Sequence, residues 1–338
     1  MGFAEIVSKY REQSYNTRNQ GFKFEQLMKA FLLTDRRYSP LFDKVWLWSE
    51  FPSRNDFGSG MDTGIDLVAK EKNGNYWAVQ CKCFAKSTTI SKPMVDTFLS
   101  TSGKTFSDVE TSEPRRFSRR LWLDTTTNGF NSNAEDSIRN QTPPVSRLGF
   151  YDLANSEVDW DLLDKGLSGE SAERKRFELR RHQQNALEAA HNYFQSNDRG
   201  KLIMACGTGK TFTALRIVED LADKQKPTVL VLVPSIALLG QLLNEWCAQS
   251  IKPIHAVCIC SDPKASQKAP SDDDRNESSI IDLALPASTN YEEIDSQVME
   301  ARQLQIEDGG MLVVFSTYQS IDVISSVQRR WGGSFRLT

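Results

Sequence analysis

The segment Met204-Ala205-Cys206-Gly207-Thr208-Gly209-Lys210-Thr211 determines how the second half of this chain is interpreted. It follows the apolar run 202–204 and precedes a helical pattern with one apolar face, which predicts the order strand, loop, helix. Glycines allow backbone amides to curl around anionic oxygens, and a helix N-terminus adds positive potential. Lys210 can reach the outer phosphates of ATP, and the Thr211 hydroxyl can bind its Mg²⁺. The pattern predicts a nucleotide site, although Met204 stands where the strict motif has glycine; its residues are Gly207, Thr208, Gly209, Lys210 and Thr211.

The composition is that of an ordinary water-soluble protein, and 338 residues are enough for about two domains. No apolar run approaches about 18 residues, and the N-terminal segment is polar and mixed in charge, so we expect neither a membrane span nor a secretory signal. The six cysteines include two Cys-x-Cys pairs in apolar runs; we interpret all six as reduced, in the cytoplasm. The net charge of −3 confines any DNA contact to local patches. One such patch, or else a solvated face, is the cluster Arg115, Arg116, Arg119 and Arg120.

The chain divides at residues 166–176, a small, polar and charged segment that predicts a linker between domains 1–165 and 177–338. Strand and helix patterns alternate after it, and their continuous apolar strands favour an α/β fold with a parallel sheet covered on both faces. Residues 262–290 are polar and predict a surface insertion. The predicted strands are 201–204, 228–234, 255–260 and 311–316, and the predicted helices are 181–195, 210–223, 235–249, 291–305 and 318–328.

A β-hairpin is predicted in the first half, where two strand patterns flank an Asn-Gly turn. Gln80 and Lys82 are two residues apart on the second strand and share a face. A two-residue turn would place Asp66, on the first strand, opposite Cys81. A three-residue loop with Gly74 in the left-handed conformation places Asp66 opposite Gln80 instead, and we predict this register or an equivalent bulge near Asp66.

These hairpin residues suit phosphodiester cleavage, which needs a divalent ion, an activated water and positive charge near the leaving oxygens. Asp66 can bind the ion, the Gln80 carbonyl can add a neutral ligand, and Lys82 can position water or stabilise the phosphorus centre. A plain solvated hairpin is the alternative interpretation. Upstream, an apolar helical stripe predicts a core helix with Glu25 beside the stripe; its members are Phe24, Leu27, Met28, Phe31 and Leu32.

The Gly-x-Asp and Gln-x-Lys motifs, with the helix segment 21–27, resemble the Mrr-like branch of the PD-(D/E)xK nucleases over roughly residues 15–160. The resemblance implies an α/β nuclease domain that cuts double-stranded DNA with Mg²⁺. It also implies that Glu25 points into the site with Asp66, Gln80 and Lys82. Whether one or two Mg²⁺ ions bind is left open, because ligands beyond Asp66 are not assured.

Three segments of the second half resemble the first RecA-like domain of superfamily-two helicases, in the branch of Type I and Type III restriction motors. They are Leu179-Arg180-Arg181-His182-Gln183-Gln184, Val233-Pro234-Ser235 and Phe315-Ser316-Thr317-Tyr318-Gln319-Ser320. The resemblance implies that Gln183 reads adenine and that Ser235 and Thr317 contact a nucleic-acid backbone. Ser235 is equally interpretable as a helix N-cap.

The order of the two resemblances is that of the N-terminal part of single-polypeptide Type I-like (Type ISP) restriction-modification enzymes, which act in phage defence. It implies a nuclease coupled to an ATP-dependent translocase, continued by a second motor domain, a methyltransferase and a target-recognition domain. The last strand-like piece is 334–338 and no acidic box follows, so we expect ATP hydrolysis only in a longer chain. The alternatives are another nuclease-helicase fusion of a defence or repair system, and a non-hydrolysing fragment that binds DNA or a partner.

Overall fold

The computed structural model of the chain describes residues 1–58, 64–139, 141–222, 227–261, 281 and 283–330. Two units are distinguished, Met1–Arg174 with Ile281–Pro286, and Lys175–Ile280 with Ala287–Thr338. Most of the predicted insertion 262–290 and the strand-like piece 334–338 lie outside the described residues. No helix in the described part of the chain is both long and apolar enough to cross a membrane.

The first unit is a mixed sheet with helices packed on it. Its helices are α1 (Phe3–Gln13), α2 (Thr17–Leu32), α3 (Lys92–Thr101), α4 (Ser132–Ile138), α5 (Phe150–Ala154) and α6 (Trp160–Asp164). Its strands are β1 (Phe42–Leu47), β2 (Leu67–Glu71), β3 (Tyr76–Lys82), β4 (Thr105–Ser107), β5 (Pro114–Asp124) and β6 (Val145–Leu148). The sheet order is β1-β2-β3-β5-β4, and β6 also pairs with β5. The pairs β3–β5 and β5–β6 are parallel, and the others are antiparallel.

The apolar stripe predicted upstream of the hairpin is the buried face of α2. Asn16 caps this helix, because its side chain accepts a hydrogen bond from the Asn19 amide at 2.8 Å. The stripe packs against β1 and the central strand β3 and is almost fully buried, as predicted; its members are Phe24, Leu27, Met28, Phe31 and Leu32. Burial of this stripe fixes the rotation of α2, and with it the direction of Glu25.

The β2–β3 hairpin has the predicted register. The Glu71 amide donates to the Asn75 carbonyl at 2.8 Å, and Gly74 between them has a φ of +90°. The ladder pairs Leu67 with Val79, so the next residues along the strands, Asp66 and Gln80, lie side by side. The three-residue loop with a left-handed glycine is therefore confirmed.

Arg120 does not belong to a surface patch. Its side chain is 2% exposed and donates to the Ser102 Oγ at 2.6 Å and to the Pro143 carbonyl at 2.7 Å. Burial lowers the pKa of its guanidinium to about 10. Nothing in the sequence distinguishes the buried Arg120 from the neighbouring Arg115 and Arg116, which are exposed.

The segment predicted as a linker is partly folded onto the first unit. Gly169–Ala172 forms a 3-10 turn, and Glu173 forms a bridge with Val158. Arg36 lies 2.7 Å from the Glu173 carboxylate. The division between the two units falls after Arg174, inside the predicted segment 166–176.

The second unit has the predicted parallel sheet. Its strands are β7 (Thr228–Val233), β8 (Ile254–Ile259) and β9 (Met311–Thr317), in the order β7-β9-β8. Its helices are α7 (Arg181–Phe194), α8 (Lys210–Leu221), α9 (Ile236–Gln249), α10 (Tyr291–Asp308) and α11 (Ile321–Arg330). Each agrees within a few residues with the sequence prediction, because amphipathic helices and continuously apolar strands carry strong local patterns.

The prediction of a strand at residues 201–204 is wrong. These residues form no strand, and Ile203 is 90% exposed. The three described strands pair only with one another, so the amides and carbonyls of 201–204 have no ladder partner among them. An apolar run becomes a strand only where another strand accepts its hydrogen bonds.

Gly64 allows the segment before Asp66 to pack against α3. Its φ is +68°, and a Cβ there would lie 2.7 Å from the Phe98 amide nitrogen.

We expect Gly64→Ala to lower the free energy of unfolding by about 3 kcal/mol, from backbone strain plus this clash. Gly74→Ala is the matched control: its φ is also positive but its Cβ would meet nothing within 4 Å. It should cost about 1 kcal/mol. Urea unfolding checks both values, and equal losses would contradict the steric argument.

Candidate functional site

Asp66 is held at one end of the β2–β3 hairpin by the neighbouring strand. Its Oδ2 accepts hydrogen bonds from the Cys81 amide at 2.7 Å and from the Gln80 side-chain nitrogen. Its own amide donates to the Val79 carbonyl at 2.9 Å, and its carbonyl accepts from the Trp48 amide at 2.8 Å. The carboxylate is therefore fixed by backbone groups on both sides before any ligand binds.

Gln80 is buried beside Asp66 and is 1% exposed. Its amide nitrogen, rather than its carbonyl oxygen, faces Asp66. This orientation follows from the hydrogen-bond pattern, since an oxygen facing a carboxylate would be repelled. The sequence prediction makes the Gln80 amide oxygen a neutral metal ligand. In the orientation seen here, that oxygen does not face Asp66.

Glu25 and Lys82 complete the cluster that the sequence predicted. Burial of the Glu25 side chain, with a smaller contribution from the negative charge of Asp66, raises its pKa to about 7, and Lys82 acts in the opposite direction. Helix α2 thus brings Glu25 within electrostatic reach of both hairpin residues. Lys82 is half-buried, and its ammonium has no ion pair among the described residues.

This donor set fits a hard divalent cation. The repulsion between the Asp66 and Glu25 carboxylates, which helps to raise the pKa of Glu25, is lost when a cation lies between them, and an amide oxygen is a further hard ligand. In the described part of the chain, no group of three or more His, Cys, Asp or Glu side chains could hold a metal by itself. The remaining ligands would have to be Gln80, water and substrate oxygens.

The exit of β3 after Lys82 is anchored by two residues that the sequence analysis missed. The Gln20 side-chain nitrogen, on α2, donates to the Cys83 carbonyl at 3.3 Å and contacts its Sγ at 3.2 Å. Arg11, on α1, donates to the Phe84 carbonyl and to the Thr125 Oγ1. The two residues lie far from the hairpin in sequence, so no local pattern could indicate these contacts.

The polar segment 125–128 fastens the loop that follows Lys82. The Thr126 and Thr127 hydroxyls both donate to the Lys86 carbonyl at 3.0 Å. The Asn128 amide donates to the Ser87 carbonyl at 2.7 Å. The hydroxyls of Thr126 and Thr127 are thus used in hydrogen bonds within the protein.

The predicted phosphate loop precedes α8 as expected. Gly207 and Gly209 have φ values of +75° and +77°, which side-chain-bearing residues rarely adopt. The Lys210 ammonium lies 3.3 Å from the Ala205 carbonyl and 3.5 Å from that of Met204. Lys210 therefore sits inside the curve of its own loop, where its charge is available to phosphates. Thr211 is the next residue and lies in the first turn of α8.

Gln183 contacts the phosphate loop directly. Its oxygen accepts from the Arg180 amide at 2.9 Å, and its nitrogen donates to the Thr208 carbonyl at 3.1 Å. His182 also contacts the Thr208 carbonyl, at 3.0 Å. A contact between Gln183 and adenine would require the exchange of one of these bonds, so that role stays a prediction. The contact of His182 was not anticipated.

Ser235 and Thr317 lie at the same edge of the parallel sheet, since β7 and β9 pair Val233 with Thr317. Ser235 caps α9 by accepting from the Leu238 amide at 3.3 Å, and it is exposed. Thr317 is 4% exposed, and its hydroxyl lies 3.4 Å from that of Ser320. Their predicted contact with nucleic acid stays a prediction, and Ser235 is the more accessible of the two.

Comparison with known proteins assigns both halves of the chain. Residues 33–170 match a restriction endonuclease family of the Mrr catalytic type, and residues 176–334 match the family of the Type III restriction enzyme res subunit. The first match includes Asp66, Gln80 and Lys82, whereas Glu25 precedes it. No match was found among curated proteins.

Two solved structures resemble the chain. One is the ATP-dependent Type ISP restriction-modification enzyme LlaBIII bound to DNA, with a TM-score of 0.71 and 32% identity over 96% of this chain and 19% of that one. The other is a nuclease-deletion mutant of the Type ISP enzyme LlaGI with a DNA substrate mimic, with 42% identity over 46% of this chain and 14% of that one, and a TM-score of 0.38. The chain thus spans about a fifth of LlaBIII. It carries a restriction endonuclease domain followed by a helicase-type domain, as the two resemblances predicted, and such domains in general use a metal ion and ATP.

The raised pKa of Glu25 predicts a specific dependence of stability on pH. The folded protein holds this proton up to about pH 7, whereas the model-peptide value is 4.5. The resulting stability is present at low pH and is lost as the pH rises through that window. Metal-free wild type should therefore lose stability from pH 5 to 8 relative to Glu25→Gln, as measured by urea unfolding. Glu12→Gln, an exposed carboxylate on α1, is the control and should follow the wild type. Parallel curves for all three would show that the pKa of Glu25 is not raised in the folded protein.

Proposed function

We propose that the chain cuts double-stranded DNA as part of a Type ISP-like restriction-modification enzyme. The premise is that it joins a restriction endonuclease domain to a helicase-type domain and is similar to LlaBIII. The observation that carries the proposal is the cluster of Asp66, Gln80, Lys82 and Glu25 at one end of the β2–β3 hairpin. On this proposal the remaining polypeptide supplies a second motor domain, a methyltransferase and target recognition. The setting would be the cytoplasm, in defence against phage.

In the proposed reaction, residues of this chain hold the scissile phosphate and place charged groups beside it. The Asp66 carboxylate, fixed by the Cys81 amide, would bind the ion that contacts this phosphate. Lys82 places a positive charge where the phosphorus centre gains negative charge during attack by water.

Asp66 and Glu25 would hold Mg²⁺, joined by the Gln80 oxygen once the Gln80 side-chain amide turns over from the orientation seen here. The ion supplies Lewis-acid stabilisation and a more acidic water when bound. Oxygen-only ligands select magnesium or manganese over zinc, which prefers nitrogen and sulfur. Cys81 does not compete as a ligand, because burial first, and then the charges of Asp66 and Glu25, raise the pKa of its thiol.

The second unit is proposed to bind ATP through Lys210 and the amides of the phosphate loop, with Thr211 on the Mg²⁺ that accompanies the nucleotide. Ser235 and Thr317 stand at the sheet edge where translocated DNA would pass. Such a motor would bring nuclease domains together on DNA, which separates the place of cleavage from the place of recognition.

Substitution of Asp66 or Lys82 should greatly slow metal-dependent nicking. We expect Asp66→Asn and Lys82→Ala to reduce Mg²⁺-dependent nicking of supercoiled plasmid by about 100-fold or more, since the first removes a charged ligand of the ion and the second removes positive charge beside the reacting phosphate. Lys72→Ala removes an exposed lysine at the turn of the same hairpin and should nick like wild type. If all three variants nick at the wild-type rate, the cutting site lies elsewhere.

Lys210→Ala should weaken ATP binding about 10- to 100-fold, because it removes a charged contact to phosphate. Titration with a fluorescent ATP analogue measures this loss, and Lys201→Ala, an exposed lysine before the loop, is the control. Mg²⁺-dependent nicking by Lys210→Ala should be unchanged, because Lys210 belongs to the other unit. Loss of nicking together with ATP binding would contradict two separable sites.

A further inference from the structure

A buried carboxylate lies directly beside Lys82 in the sheet. Strands β3 and β5 are parallel, and their register pairs Lys82 with Asp124, the last residue of each strand. Residues paired in this way lie about 5 Å apart, and their side chains leave the sheet on the same face. The Asp124 side chain is completely buried. A lysine and a carboxylate at this spacing attract one another strongly unless another cation satisfies the carboxylate.

Arg147, on the neighbouring strand β6, binds both oxygens of this carboxylate. Its Nε donates to the Asp124 Oδ2 at 2.7 Å, and its Nη2 donates to the Asp124 Oδ1 at 3.1 Å. The Thr126 amide also donates to Oδ1, at 2.9 Å. Burial raises the pKa of Asp124, and the positive charge of Arg147 opposes that rise. Asp124 therefore has its counter-ion and its hydrogen bonds without Lys82.

The surrounding residues shape a slot for the Arg147 guanidinium. A Cβ at Gly149 would lie 2.7 Å from the Arg147 Nη2, and a Cβ at Gly129 would lie 3.4 Å from its Nη1. The Phe130 ring centre lies 5.5 Å from the guanidinium carbon. The same Nη2 donates to the Thr126 carbonyl at 3.4 Å. These contacts hold a planar group with several donors in one position against Asp124.

Lys82 keeps its charge at the cutting site. Its ammonium has no ion pair among the described residues, and its charge opposes the rise in the pKa of Glu25. A buried ion pair such as that of Arg147 with Asp124 is costly to desolvate, and neutral residues of similar volume often stabilise a fold equally well. Stability alone therefore gives no reason for a charged pair beside Lys82.

We propose that Arg147 is a positioning residue for cleavage, which holds the Asp124 carboxylate so that the Lys82 ammonium stays directed at the scissile phosphate. Without the guanidinium, Asp124 would be a buried carboxylate that lacks a counter-ion, with Lys82 one strand away. The Lys82 ammonium would then turn to Asp124 and leave the cutting site. The inference rests on the proposed nuclease function and adds a residue that acts through Lys82 rather than on the substrate.

Plasmid nicking by the full chain, at saturating Mg²⁺ and with varied DNA, tests this role. Arg147→Gln removes the charge but keeps a donor for Asp124, and its kcat should fall about 30-fold while KM for DNA stays within about twofold. Asp124→Asn keeps an acceptor for the Thr126 amide and should nick within about threefold of wild type. The double variant should also nick within about threefold of wild type, because it has no carboxylate to capture Lys82. A purely structural ion pair predicts instead that the double variant is no faster than Arg147→Gln.

The same substitution in a Lys82→Ala background tests whether Arg147 acts through Lys82. There Arg147→Gln should cause no further loss of rate. Arg116→Gln, an exposed arginine on β5, is the matched control and should nick like wild type. Thermal unfolding checks that each variant is folded at the assay temperature. If Arg147→Gln is not folded, Asp124→Asn and the double variant decide, and a loss of more than about tenfold in either overturns the inference.

Two further results would also overturn this role of Arg147. One is nicking by folded Arg147→Gln at the wild-type rate, and the other is slow nicking by the folded double variant. The proposed function fails separately, since nicking by Lys82→Ala at the wild-type rate would refute the nuclease site itself.

Discussion

The pairing of Leu67 with Val79 is the constraint on which the first unit's chemistry depends. It places Asp66 beside Gln80 and presents the Cys81 amide to the Asp66 carboxylate at 2.7 Å. A slip of one residue would turn the side chains of one strand to the other face of the sheet and separate Asp66 from Gln80 and Lys82. The three-residue loop with Gly74 at a φ of +90° fixes this pairing. A turn far from the chemistry therefore decides which side chains meet.

Supports from outside the hairpin keep this arrangement in place. Gly64 lets the segment before Asp66 approach the backbone of α3. Gln20 and Arg11 hold the strand after Lys82, and the buried stripe of α2 sets the direction of Glu25. Catalytic groups held in this way lose little freedom when substrate binds, which is why such supports accompany active sites.

The sequence predicted what local patterns encode. The Asn73-Gly74 turn allowed two hairpin registers, and the structure has the predicted one, which brings Asp66 beside Gln80. The α2 stripe followed from helical spacing, and the phosphate loop followed from its glycines. What depends on distant partners could not be predicted. Arg120 looked like a surface cation, yet it is buried among carbonyls and the Ser102 hydroxyl of other elements.

The same limit explains the wrong strand at 201–204 and the unforeseen anchors Gln20 and Arg11. An apolar run forms a strand only if another strand pairs with it, and no described strand does so. A glutamine or an arginine on a helix gives no sign of which distant carbonyl it will meet. Family resemblance predicted the two domain types, whereas the contacts that position their residues needed the structure.

The central claim is that Asp66, Gln80, Lys82 and Glu25 form one metal-dependent site. The most direct measurement is an anomalous difference map from crystals of this chain grown with Mn²⁺ and a short DNA duplex. The account predicts a manganese peak at about 2.2 Å from a carboxylate oxygen of Asp66, with Glu25 also in its coordination sphere. A peak elsewhere in the first unit, with Asp66 bonded only to Gln80 and Cys81, would contradict it.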